Sequence, residues 1–198
     1  NLAGGRIGTP VIDPVTGADS VRIPDEYPLG TAPLLAIGLM IGGVAGAWWI
    51  PPIAWAAAVL LTGLLLRRQG LPVLPAALIG LFLPALFAGR LLMSDAPSAA
   101  IVAGALLCFF AAFEGSAAPD RRMALAFVAG LLAGLSTMFR ETNALVLAPL
   151  CAGAVIRRER PAWPLFWGGL IGVAVRLLTS QLAFGSALGT RAAWSWGL

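Results

Sequence analysis

The chain has no lysine and no histidine, two cysteines, one tyrosine and few charges of either sign: 13 arginines against 9 carboxylates in 198 residues. Each scarcity excludes something. No P-loop, zinc-ligand helix or nucleophile elbow can be traced through it. Cys108 and Cys151 lie inside apolar runs without partner spacing, so they read as small buried hydrophobes and not as a disulfide or metal pair. The scarcity of charge excludes most. With 11% charged and 59% hydrophobic residues and a mean hydropathy of +0.89, the chain cannot cover the surface of a soluble domain.

What is present is apolar sequence in runs of about twenty residues, each long enough as a helix to cross about 30 Å of hydrocarbon. Lipid cannot satisfy backbone amides, and the alternation of a membrane β-barrel is absent, so the expected class is all-α: a polytopic transmembrane helical bundle. The formal charge of +4 and pI near 10.4 do not point to nucleic acid. That reading needs one basic patch, whereas most of these arginines stand in short clusters at helix ends.

Residues 1–30, "NLAGGRIGTPVIDPVTGADSVRIPDEYPLG", are rich in polar and turn-forming residues and are expected to be an extracytoplasmic loop. Helices are expected at 31–49, 51–67, 72–92, 96–114, 123–139, 143–156 and 162–183, with the first break at Pro51-Pro52. About six of them would span, over 51–198. The stretch 31–50 suits a juxtamembrane or re-entrant helix, with a Gly-rich centre and Trp48-Trp49 at its end, although a full crossing fits its composition as well. A single helix over 123–156 would be about 51 Å long, so two short spans meeting at 139–143 are expected, with "FRETN" dipping below the membrane surface.

Three arginine clusters set the topology: Arg67-Arg68, Arg121-Arg122 and the run from Arg157 to Arg160. Two helices separate each cluster from the next, so all three fall on one face, which the positive-inside bias makes cytoplasmic. "MSDAP", "FRETN" and "FGSALGTR" then share the opposite face. The chain starts at Asn1 without Met and stops just after an apolar segment, so it is expected to be part of a longer protein.

Charges in or near membrane segments are costly and face a bundle interior, a partner or a cavity. Asp95, between Ser94 and Pro97, is either a helix cap or a site carboxylate. Arg140 and Glu141 form an interfacial pair or line a site, where a guanidinium suits bidentate capture of phosphate. Asp25, Glu26 and Tyr27 belong to a plain polar loop or to the same site. Arg176, well inside the last helix, binds a polar group of the bundle or approaches the outer cavity. Gly42/Gly46 and Gly130/Gly134 are GxxxG pairs, read as close helix packing.

In order, "NLAGGR…EYPLGTAPLLAIGLMIGG", "MSDAPSAAIVAGALLCFFAAFEG", "RRMALAFVAGLLAGLSTMFRETNALVLAPL" and "FGSALGTR" resemble the N-terminal half of a C-type glycosyltransferase. The similarity is to the membrane transferases that take a sugar from a polyprenyl-phosphate carrier, such as protein O-mannosyltransferases and aminoarabinose transferases. It covers nearly the whole chain through short motifs whose order carries the weight. The resemblance implies an extracytoplasmic cavity in the plasma membrane, bacterial inner membrane by expectation, with residues 31–49 not spanning. It implies a catalytic acidic pair on a first transmembrane helix upstream of Asn1, without which this fragment is expected to be inactive.

Two site sets follow from that resemblance. Asp95 and Glu141 are the catalytic candidates within the chain; Arg140, Asn143, Tyr27, Glu26, Ser94 and Arg176 are candidates for the lipid phosphate and substrate. The chain departs from the family where Pro28-Leu29 stands in place of two prolines. Sugar transfer from such a carrier needs a base for the acceptor, and positive charge or a divalent metal ion for the departing phosphate. The partners implied are the polyprenyl-phosphate sugar, membrane lipids and an acceptor glycan, lipid or protein. The alternatives are a transporter or lipid-handling protein, whose repeated halves are not evident here, and a non-catalytic structural subunit.

Overall fold

The computed structural model describes residues 9–12, 19–22, 30–74, 77–78, 80, 92–114, 118–157 and 161–184. Before the helices, β1 (Thr9–Ile12) pairs antiparallel with β2 (Asp19–Arg22), Thr9 opposite Arg22 and Ile12 opposite Asp19. The turn formers of the N-terminal segment therefore flank a short strand pair, carried by Val11, Ile12 and Val21. The rest of the described chain is helical: α1 (Thr31–Arg68), α2 (Leu92–Phe113), α3 (Pro119–Ser136), a 3₁₀ turn (Glu141–Asn143), α4 (Ala144–Arg157) and α5 (Ala162–Phe184).

Three of these helices are long and apolar enough to cross a membrane, over Thr31–Arg68, Asp95–Phe113 and Ala162–Leu182, and Glu141–Ile156 is a shorter apolar helix. The span expected at 72–92 lies mostly outside the described residues. Its start is visible: Gly70, at φ +69°, closes α1 with Leu71 N–H bonded to the Leu66 carbonyl and Gly70 N–H to that of Arg67. The chain then turns back along α1, where Trp55 Nε1 donates to the Gly80 carbonyl at 2.7 Å.

The first break is not at Pro51-Pro52. Both prolines are inside α1, and the non-helical backbone is at Gly42 (φ −140°, ψ 22°) and Gly43 (φ 60°, ψ −149°). Only glycine adopts the second of these freely. The reversal is tight enough that a Cβ on Gly38 would lie 2.8 Å from Ala47 Cα, so residues 31–41 fold back on the helix that follows. That first arm, about 16 Å long, is too short to cross a bilayer, whereas the arm from 44 to 68 is about 37 Å.

Two parallel contacts organise the rest. Leu61 Cδ1 lies 3.8 Å from where a Gly104 Cβ would stand, and Arg68 Nη2 donates to the Phe110 carbonyl at 3.1 Å, so α1 and α2 rise together. Gly130 stacks on Leu165 and Gly169, and Gly134 on Gly169, Gly172 and Val173, so α3 and α5 do the same. A Cβ on Gly134 would stand 2.5 Å from the Gly169 carbonyl, so the helices touch backbone to backbone. Gly130/Gly134 is thus a packing motif, whereas Gly42 meets nothing within 4 Å and serves the bend. The core is built from small residues, Ala105, Ala112, Ala126, Ala129, Ala133 and Ala154, around Phe109 stacked on Phe113 at 4.6 Å. Cys108 and Cys151 are free, half-buried thiols packed against it.

Candidate functional site

The arginine clusters and the acidic candidates separate to opposite ends of the bundle. At one end Arg68 reaches the Phe110 carbonyl, Arg122 Nε donates to the Ala112 carbonyl at 2.7 Å, and Gln69 Nε2 donates to Glu114 at 3.3 Å. The Phe110 carbonyl also accepts the N–H of Glu114 at 2.9 Å, and the two guanidinium groups sit at the C-terminal end of α2, the negative end of its helix dipole. α4 returns toward this end, where Gly153 lies beside Phe109. Residues 158–160 of the third cluster are outside the described residues.

At the other end Arg140 forms an ion pair with Asp95, and Arg176 Nη2 bonds Glu141 Oε1 at 2.5 Å. The expected helix start at residue 96 is corrected here: α2 is already helical at Leu92, so Asp95 stands in its first turn and is not the residue preceding the helix. Its Oδ1 is buried, and the guanidinium of Arg140 answers it as an ion pair without the alignment of a hydrogen bond. Ser94 precedes it in the same turn. Arg140 itself is extended (φ −149°, ψ 127°), between the end of α3 and the 3₁₀ turn, which aims its side chain across to α2 instead of along a helix.

Asn143 sits under this pair. Its Nδ2 donates to Ser98 Oγ at 2.8 Å and to the Ser136 carbonyl at 2.9 Å, which uses both amide hydrogens inside the protein. The start of α1 docks on the same tip: Gly30 N–H bonds the Met138 carbonyl at 3.0 Å, and a Cβ at Gly30 would run into the Phe139 ring at 2.8 Å. Thr31, next in line, is buried with its hydroxyl unpartnered. Glu26 and Tyr27 lie outside the described residues, a few positions before that docking point.

The paired end is recessed. α5 continues eight residues past Arg176 to Phe184, about 12 Å beyond the level of Glu141. The offset between Leu61 and Gly104 puts Asp95 level with roughly residue 52 of α1, so the arm that starts at residue 44 also rises about 12 Å above it. Helices α3 and α4, of 18 and 14 residues, are the short members, and the tip between them forms the floor. Arg176 shares a helix face with Leu165, Gly169 and Gly172, which turns it inward, and its side chain is 18% exposed against 66% for Glu141.

Asp95, Arg140, Glu141, Asn143 and Arg176 are therefore one cluster. The sequence reading missed Ser98, Ser136 and Gly30. A usable signal existed for the first: Ser98 follows Asp95 by three residues, as Asn143 follows Arg140. Among the described residues no three His, Cys, Asp or Glu side chains gather as metal ligands do. The arrangement sets two guanidinium groups beside two carboxylates in an otherwise apolar bundle, so an incoming anion would have to take an arginine from its carboxylate. No family profile, curated protein or solved structure matches the chain.

Proposed function

We propose that this chain is the N-terminal part of a membrane glycosyltransferase, contributing about six of its spans, that moves a sugar from a polyprenyl-phosphate carrier to an acceptor at the extracytoplasmic face. The observation that carries the reading is the recessed cluster of Asp95–Arg140 and Glu141–Arg176, at the end opposite the Arg68 and Arg122 contacts. Charges set in membrane segments are costly and usually face a cavity, a partner or the bundle interior, and this cluster gathers four of them at one end of an otherwise apolar chain.

In the proposed reaction the acceptor hydroxyl gives its proton to a carboxylate and its oxygen bonds to the anomeric carbon. The anomeric carbon–oxygen bond to phosphate breaks, and the electron pair leaves on the phosphate oxygen. Arg140 and Arg176 stabilise that charge, more strongly in an apolar recess than in water. The resemblance assigns the base to an acid upstream of Asn1; Asp95 orients the acceptor and Glu141 holds Arg176 in place. The test is incubation of the full-length protein, in lipid nanodiscs, with a panel of polyprenyl-phosphate sugars. Release of free polyprenyl phosphate with transfer of the sugar supports the reading. Movement of an intact carrier between leaflets without release would support lipid handling instead.

A further inference from the structure

We propose that Asn143 is a positioning residue that, with Ser98, forms the inner rung of a polar ladder and fixes the direction of Arg140. The spacing is the same on both sides: Asp95 and Ser98 are three residues apart on α2, and Arg140 and Asn143 three apart at the tip, where Asn143 N–H bonds back to the Arg140 carbonyl at 3.0 Å. The outer rung is the ion pair, with side chains 48% and 29% exposed. The inner rung is neutral, with the half-buried Asn143 donating to partners of which Ser98 is 5% and Ser136 0% exposed.

The two rungs have different freedom. Arg140 can leave Asp95 for another anion reached from the open side, whereas the Asn143 amide has only buried partners to lose. The Ser136 carbonyl that Asn143 holds also accepts the N–H of Phe139 at 3.0 Å and of Arg140 at 3.2 Å. Asn143 therefore clamps the atom on which the backbone of Arg140 hangs. Both of its donors are used, so its amide nitrogen has no hydrogen left for a ligand; it acts through Arg140. The consequence for donor affinity rests on the transferase reading, and the ladder itself does not.

The test uses the full-length protein in nanodiscs, with Asn143→Ala, Ser98→Ala and the double variant. The first readout needs no activity: phenylglyoxal modification of Arg140, followed by peptide mass spectrometry with Arg68 as internal reference. Each single variant is expected to raise the Arg140 rate about fivefold to tenfold, and the double no further than the larger single. The second readout is kinetics on a short-chain polyprenyl-phosphate sugar, with KM raised about tenfold and kcat within about twofold. Ser98→Thr, which keeps the accepting hydroxyl, is expected to leave Arg140 at its wild-type rate. Unchanged Arg140 reactivity in folded Asn143→Ala would overturn the proposal, even with a raised KM, as would equal effects of Ser98→Thr and Ser98→Ala. Raised reactivity in a protein that releases no carrier would leave the ladder standing and remove the transferase reading.

Discussion

Arginines occupy both ends of this bundle, yet they meet different partners. At the Arg68 end the guanidinium groups of Arg68 and Arg122 bind main-chain carbonyls in the last turn of α2, where a cation complements the helix dipole. At the Arg140 end the guanidinium groups bind the carboxylates of Asp95 and Glu141, side chains that stand in the first turns of α2 and of the 3₁₀ segment. One set completes the fold. The other adds charge to it, below the ends of the longer helices, where burying charge is costly. The same residue type thus serves as a structural cap where its partner is backbone and as a candidate binding group where its partner is another side chain.

Substitutions can break that contrast in a graded way. The largest effect is expected from Arg140→Ala, which should lower carrier release by about 100-fold or more while the protein still purifies as a folded species; Asp95→Asn should follow it. A turnover assay on both, beside wild type, checks this. Next comes Gly130→Val at the α3–α5 contact. Its side chain would enter the Leu165 and Gly169 backbone, and a loss of about 1–3 kcal/mol should appear as a lowered midpoint in thermal unfolding.

A charge exchange sharpens the comparison further. Arg176→Glu alone should destabilise by leaving two acids together, and adding Glu141→Arg should recover most of the thermal midpoint without recovering turnover. Were turnover to return with stability, the polarity of the pair would be irrelevant and its proposed role as a phosphate site wrong. The smallest effect belongs to the other end: Arg122→Gln should cost about 1 kcal/mol or less and leave KM for the carrier unchanged.

The apolar segments were legible because length and hydropathy alone define them: α4 and α5 fall within a residue of the expected 143–156 and 162–183. The segregation of arginine clusters from Asp95 and Arg140 followed from counting helices between them. The bend at Gly42-Gly43 was not legible, because proline is the louder breaker in sequence while membrane helices tolerate it. The double glycine matters only through the positive φ of Gly43, a conformation that composition does not announce. Asp95 was placed outside its helix for a related reason: Ser-Asp-x-Pro looks like a helix start, yet α2 is already helical three residues earlier. Arg176 was seen as an intramembrane charge, but its partner, 35 residues away, follows from the glycine contact that sets the register of α5 on α3.

The most direct measurement is binding of a polyprenyl phosphate to the full-length protein, by native mass spectrometry from nanodiscs, in wild type, Arg140→Ala and Arg122→Gln. The account predicts retention of the carrier by wild type and Arg122→Gln and its loss, by about tenfold or more in affinity, from Arg140→Ala. Equal retention by all three proteins would contradict it.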